Sequence, residues 1–371
     1  MAGGDRPKGK RARTAFTQRM DRAARLCADG AFAAGETLYR QILAEYPKNL
    51  SAMRARADAL EGMGHKGRAR TQRTKANEEE TDNLCEIAGK ALVDGHLSKS
   101  LKLYHKALKL DPGFSEALWG IAESHAGQGE TETAIKWYRR YLEAEPDEPE
   151  AMHMLAALGA EPPPSRASDD YVTAHFDRFA DDFDQQLVEE LNYRGPELLY
   201  EAVAPVLAKG AHDLAILDLG CGTGLTARPF RKIGGRIDGV DLSGRMLAKA
   251  RRRRLYDRLI EADIGAHLAE TRRRYDMVLS GDSLIYFGDL APVFTGIRRV
   301  LKDGGLCAFS LETSNGEDYH LTETGRYSHG RPYIKRVAAA AGLKKISVAQ
   351  RTIRTEYGEE VKSDLWVFKI A

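Results

Sequence analysis

The chain has 371 residues and a formal net charge of +2; 43% of its residues are apolar, 8% aromatic and 30% charged. At roughly 100–200 residues per domain the length allows two or three domains. The globular, nearly neutral composition excludes a disordered chain and a polyelectrolyte built around nucleic acid. No run approaches ~18 uninterrupted apolar residues, so no membrane span is expected. Cys27, Cys85, Cys221 and Cys307 lie far apart with no CxxC. That spacing points away from a zinc ribbon or a disulfide scaffold, predicts no metal site, and suits a reducing cytoplasm.

Residues 1–17 are rich in Gly, Lys and Arg, with neither an apolar signal core nor a hydrophobic period, and read as a disordered basic tail. Residues 18–159 read as helical and repetitive. When Gly30, Gly95 and Gly129 are aligned, Tyr39, Tyr104 and Tyr138 coincide, as do Gly35, Ser100 and Ala134, then Leu43, Leu108 and Leu142, then Pro47, Pro112 and Pro146. Glycine permits a tight turn between two helices, the small residue their close approach, and proline stops the second helix. Tyr and Leu, at i and i+4, share the face turned to the partner helix. The pattern resembles the tetratricopeptide repeat, which implies helix–turn–helix units and a surface for a protein or peptide partner. A fourth copy starts at Gly64, but its second helix, HKGRARTQRTKANEEE, is almost all polar and is expected to be an exposed helix or a break in the stack. Residues 160–168, AEPPPSRAS, read as a linker.

From residue 169 to 371 strands and helices alternate. Apolar runs at 215–219, 237–241, 277–280 and 306–311 predict a doubly wound, mainly parallel α/β sheet. Runs at 345–351 and 365–370 predict an antiparallel hairpin joined by the polar segment TEYGEEVKS. Between the first strand and its helix lies Leu-Asp-Leu-Gly-Cys-Gly-Thr-Gly-Leu, residues 217–225, with Asp241 at the end of the second strand. Bare glycines at a sheet's carboxyl edge let a ligand lie against backbone, and an acid at this spacing can grip both ribose hydroxyls. A dinucleotide loop would place its third glycine at Leu225, and Asp218 would repel a pyrophosphate; it suits a ligand with a cationic amino group.

The loop, the spaced acid and the alternation together resemble class I S-adenosylmethionine-dependent methyltransferases over residues 169–371. The resemblance implies a Rossmann-like domain with S-adenosyl-L-methionine as cofactor. It places Asp218, Gly220, Cys221, Gly222 and Gly224 around the methionine part, and Asp241 on the ribose. Leu242, Met246, Asp263 and Ile264 would lie around the adenine, and Gly281, Asp282 and Ser283 beside the methyl donor. Tyr171 and Phe176, on an expected lid helix over 171–187, would shield the cofactor. Asp282 is the first candidate for a general base. His320 and His329, in an insert rich in Tyr, His and Arg, are lower candidates expected to line the substrate pocket. Cys221 reads as a small packing residue rather than a nucleophile. Arg251–Arg254 read as a solvated helix face, so no nucleic-acid partner is expected. The whole chain resembles bacterial tetratricopeptide-repeat methyltransferases, with the acceptor unidentified: a small molecule, a carrier-bound group or a protein. Two other classes stay open: a repeat scaffold whose methyltransferase-like domain binds cofactor without catalysis, and a nicotinamide-dependent oxidoreductase, disfavoured by Leu225 and Asp218.

Overall fold

The computed structural model describes residues 9–180, 183–185, 187, 191–356 and 359–370. The chain divides into two compact units, Met1–Pro146 and Asp147–Ala371. Among the described residues, no helix is long and apolar enough to cross a membrane.

The described part of the first unit is helical: α1 (Lys10–Ala28), α2 (Phe32–Glu45), α3 (Leu50–Gly62), α4 (Lys66–Val93), α5 (Leu97–Leu110), α6 (Ser115–Ala126) and α7 (Thr131–Ala144). Helix α1 starts at Lys10, so it takes in the second half of the expected tail; residues 1–8 lie outside the described residues. Phe16 explains the extension, since its ring meets Tyr46 edge-on at 5.2 Å. The repeat turns fall at Gly30, Gly64, Gly95 and Gly129, all with φ between +72° and +79°, a region that L side chains avoid. Tyr39, Tyr104 and Tyr138 are all buried. Gly120 shows why small residues face them: an added Cβ would stand 2.1 Å from the Tyr104 ring.

The degenerate copy is neither a break nor an exposed helix. Its position for the terminating proline is Thr81, which keeps its N–H, so two expected helices run on as the 28-residue α4. Ala69, Gln72 and Ala76 supply the buried stripe, with small side chains in place of large apolar ones. Gln72 accepts a hydrogen bond from Arg56, whose other partner is Glu36 at 2.8 Å.

In the second unit, α8 (Pro149–Ala157) packs on α9 (Asp169–Phe179). Helix α8 therefore belongs to the second unit, although the sequence pattern places it within the repeats. The expected linker 160–168 is held down as well. Ser165 carbonyl oxygen accepts from the N–H groups of Gly288 and Asp289, Ala167 N–H donates to Tyr286, and Tyr327 hydroxyl donates to Pro164. These contacts are distant in sequence, so the prolines signal irregular backbone without signalling that it is fixed.

After α10 (Phe183–Gln185) and α11 (Gly195–Val203) the alternation is β1 (Leu214–Leu219), α12 (Ala227–Phe230), β2 (Gly234–Asp241), α13 (Gly244–Arg253), β3 (Arg258–Glu261), α14 (Ile264–Glu270), β4 (Tyr275–Ser280), α15 (Ala291–Val300) and β5 (Leu301–Ser314). The chain ends with β6 (Tyr319–Leu321), β7 (Tyr327–Gly330), α16 (Arg331–Ala340), β8 (Leu343–Glu356) and β9 (Glu359–Ile370). The parallel strands lie in the order β3-β2-β1-β4-β5. Strand β9 pairs antiparallel with the lower part of β5, and β8 with β9. Strand β7 pairs with the last two residues of β5 and β6 with β7. The sheet is buried on both faces: along β1, Leu217 and Leu219 enter one apolar core and Ile216 the other. The C-terminal hairpin is longer than expected. Thr352–Glu356, within and just before the segment read as a polar connection, is paired strand; Tyr357 and Gly358 lie outside the described residues.

Substituting Thr81→Pro should destabilise the repeat unit by about 3 kcal/mol, because it removes an intrahelical bond and crowds the preceding turn. Thr81→Ala keeps the N–H and removes a buried hydroxyl that has no partner among the described residues, so it should cost nothing. Hydrogen exchange along α4 in the full chain measures both.

Candidate active site

Strand order reverses between β1 and β4, and in such sheets ligands bind beyond the carboxyl ends at that point. The glycine loop starts there. Gly220 (φ +67°) touches the loop after β4; a Cβ on it would stand 2.4 Å from Ser283. Gly222 (φ +53°) has open space where its Cβ would be, and it lines a cavity of about 240 Å³. Gly224 faces the other way and packs on Tyr256.

The end of β2 holds the loop. Gly220 and Cys221 N–H groups both donate to Val240 carbonyl oxygen, at 2.8 and 3.0 Å. Gly222 N–H donates to Asp241 Oδ2 at 2.8 Å and Ser243 N–H to Oδ1 at 2.9 Å. A carboxylate offers about four lone-pair sites, so each oxygen can still take another donor from a ligand. Burial pushes Asp241 above the usual carboxylate range, and these backbone donors oppose the shift.

Of the expected site residues, Gly220, Cys221, Gly222, Asp241 and Leu242 line the cavity, as do Asp263, Ile264, Gly281, Asp282, Ser283 and Phe176. Four others do not. Asp218 lies buried beneath the loop, its Oδ2 accepting from Tyr256 hydroxyl at 2.6 Å. Burial pushes its carboxyl up to about 7, partly offset by Tyr256 and reinforced by Asp241. Gly224 is spent on packing, and Met246 is buried at the start of α13, its N–H donating to Ser243 Oγ. Tyr171 stacks on His153 at 3.9 Å instead of facing a ligand. The Cys221 thiol is pushed well up by burial, consistent with packing rather than nucleophilic use.

The two histidines are corrected too. His320 is exposed beside Ser328, and His329 is buried on Tyr333, donating Nε2–H to Gly288 carbonyl oxygen at 3.0 Å; neither lines the cavity. Burial lowers His329 to about 4, against the pull of the carbonyl, so it stays neutral at ordinary pH.

The expected lid helix is two pieces, α9 and α10, with Asp181, Asp182 and Gln186 outside the described residues. Both pieces are anchored to the glycine-loop side of the cavity. Ser243 hydroxyl donates to Asp177 at 2.5 Å; Thr223 hydroxyl and Arg253 Nη2 each donate to Asp184 at 2.5 Å. Arg253 thus turns inward, while Arg251, Arg252 and Arg254 are solvated as expected.

Sequence reasoning missed the far wall. Arg326 in the insert and Arg354 and Glu356 on β8 line the cavity with Asp282, Tyr193 and Tyr286. Arg354 is 3% exposed at its side chain and pairs with Asp282, Glu312 and Glu356. At the other end of the cavity Arg166, from the supposed linker, donates to Asp263 at 3.0 Å. Asp263 Oδ1 meanwhile caps α14 through Ala266 N–H.

Residues 216–305 match the family model of a methyltransferase domain, and residues 91–158 that of a tetratricopeptide repeat. The chain carries a methyltransferase domain. A malonyl-[acyl-carrier protein] O-methyltransferase of Hamiltonella defensa is 29% identical over 147 residues, 40% of this chain and 54% of that protein. Human methyltransferase-like protein 27 is 34% identical over 142 residues, 38% of this chain and 57% of that protein. The chain thus spans about half the length of the curated relatives it matches. Among solved structures, magnesium protoporphyrin IX methyltransferase from Synechocystis PCC 6803 with bound SAM aligns over 55% of this chain and 94% of its own, at 17% identity and TM-score 0.42. The methyltransferase domain implies S-adenosylmethionine as cofactor. The open Cβ position of Gly222 and the spare acceptor sites of Asp241 fit an adenosyl ligand.

Asp218, whose carboxyl is raised in the fold, gives stability a pH dependence. The protonated form is the one the fold prefers, so its contribution is full below its unfolded value near 3.8 and is lost as pH rises through about 7. Asp218→Asn keeps an acceptor for Tyr256 without the charge. Its stability relative to wild type should rise between pH 4 and 7 and then level off, as thermal melting across that range measures.

Proposed function

We propose that the chain is an S-adenosylmethionine-dependent methyltransferase acting on a non-polymeric or carrier-held acceptor, with the repeat unit engaging a protein or peptide that carries or regulates that acceptor. The observation that carries this reading is Asp241. It braces the glycine loop with one oxygen and the turn at Ser243 with the other, yet faces a cavity that continues from the bare backbone of Gly222 to the ionic wall around Asp282. A phosphate-binding loop would have no use for two acids here, Asp218 below the loop and Asp241 beside it.

When bound, the cofactor supplies an activated methyl group on a sulfonium. The protein's task is then to position the acceptor and keep water away. Asp241 would take the ribose hydroxyls. Leu242 and Ile264 would sandwich the adenine, with Asp263 at its edge. Gly220, Gly222 and Gly281 would leave room for the methionine part. Phe176 on the anchored α9 and Tyr286 after β4, with ring centroids 5.4 Å apart, would close the cavity over the reacting atoms. The relatives' names, which include O-methyltransferases of malonyl-[acyl-carrier protein] and of ubiquinone biosynthesis, support methyl transfer without agreeing on an acceptor.

Calorimetry of S-adenosylmethionine, S-adenosylhomocysteine and NAD(H) tests the reading. The adenosyl ligands should bind saturably and NAD(H) should not. Asp241→Ala should weaken them about 100-fold, the worth of two hydrogen bonds to a charged group. Tight NAD(H) binding, or no adenosyl binding by a folded sample, would contradict it.

A further inference from the structure

We propose that the methyl acceptor is a neutral or cationic molecule that offers an O–H or N–H to Asp282, and is not a carboxylate. This rests on the methyltransferase reading above and names the substrate class for the same cavity.

Three arginines line the cavity, and each is committed to acids. Arg354 places Nε 2.8 Å from Glu356, Nη1 2.5 Å from Asp282 and Nη2 2.7 Å from Glu312. Arg326 places Nη1 and Nη2 at 3.2 and 2.7 Å from the two oxygens of Glu356, and Nε 2.8 Å from Glu312. Arg166, at the other end, is shared between Asp169 and Asp263. Five of the six nitrogens of the two far-wall guanidiniums therefore hydrogen-bond a carboxylate, and the sixth, Arg326 Nε, lies within ion-pair distance of Glu312 without a hydrogen bond. The wall holds two cations and three anions, so an incoming carboxylate would meet excess negative charge and guanidiniums already paired with acids. Such a group would be desolvated without a partner, which is costly.

Asp282 offers the opposite. Its Oδ1 is buried and has no hydrogen-bond partner among the described residues, although the residue lines the cavity. A buried acceptor left unmet costs free energy that a ligand's donor would recover. The carboxylate is also oriented. Asp282 sits at φ +57°, a left-handed conformation rare for a non-glycine residue, held by its N–H donating to Ser310 at 2.7 Å and by Arg354 on Oδ2. The neighbouring walls are aromatic, with Phe176, Tyr193, Tyr286 and Phe287. They suit a ring-sized apolar body, and their faces attract a cationic head.

In this arrangement a lone pair on the acceptor oxygen or nitrogen, freed on an ammonium by prior loss of an N–H proton to Asp282, would form the bond to the methyl carbon. The carbon–sulfur bond breaks and its electron pair stays on sulfur, leaving a neutral thioether. The O–H or N–H proton passes to Asp282 and from there to solvent. Arg354 acts as a positioning residue for that carboxylate.

The test titrates the full chain, saturated with S-adenosylhomocysteine, with one aryl body carrying three heads: 2-phenylethylammonium, 4-ethylphenol and 3-phenylpropionate. The ammonium or the phenol should bind at least about tenfold tighter than the carboxylate, the scale of one hydrogen bond to a charged group. Asp282→Asn should remove that preference while changing S-adenosylhomocysteine affinity less than about threefold, which separates the acceptor from the cofactor's own ammonium. If Asp282→Asn fails to fold by melting, Asp282→Glu, which keeps the charge beside Arg354, should retain the preference at reduced affinity. Equal or tighter binding of the carboxylate, binding of none of the three, or equal loss of the cofactor product in Asp282→Asn overturns the inference. Failure of S-adenosylhomocysteine to bind wild type overturns the cofactor reading, and this inference with it.

Discussion

The site depends on a short stretch of backbone that is bare where it meets the cavity, at Gly222. The glycine loop must stay bare on the ligand side, so its conformation has to be imposed from behind. The end of β2 does this with two acceptors. Val240 carbonyl oxygen takes the N–H groups of Gly220 and Cys221, and Asp241 takes that of Gly222. The parallel register of β1 and β2, with Leu219 opposite Val240, brings those groups level. One carboxylate is thus both the brace of the loop and the group left facing a ligand.

Other parts of the second unit build on that brace. The same β2 end leads into Ser243, whose hydroxyl caps α13 and also grips Asp177 of α9. The loop itself reaches α10 through Thr223 and Asp184. Across the cavity the long hairpin of β8 and β9 carries Arg354 to Asp282, and so ties the loop after β4 to the sheet's far edge. The glycine-loop side is organised by backbone donors meeting one carboxylate, whereas the far wall is organised by buried ion pairs.

Much of this is legible in the sequence because it is local. The glycine spacing, the acid at the end of the next strand and the alternation of apolar runs each reflect contacts within a few dozen residues. The repeats are legible for the same reason, down to the missing proline at Thr81, although the outcome there, one long helix on an alanine stripe, needs the packing to decide it. What stays hidden is long-range. Arg354 lies 72 positions from Asp282 and just before a segment whose polarity suggests a turn. Arg166 stands among prolines, and no pattern in AEPPPSRAS says that it will meet Asp263. Conversely, His329 lies in an insert rich in groups that often serve chemistry, and only its burial against Gly288 and Tyr333 shows that it is structural. Charged side chains betray where they can act, but their partners are chosen by topology.

The most direct test of this account is a crystal structure of the full chain with S-adenosylhomocysteine. The account predicts both ribose hydroxyls on Asp241 with its backbone bonds to Gly222 and Ser243 intact, and the sulfur directed toward the wall formed by Asp282 and Tyr286. A ligand bound elsewhere, or one seated in the cavity with Asp241 turned away from the ribose, would contradict it.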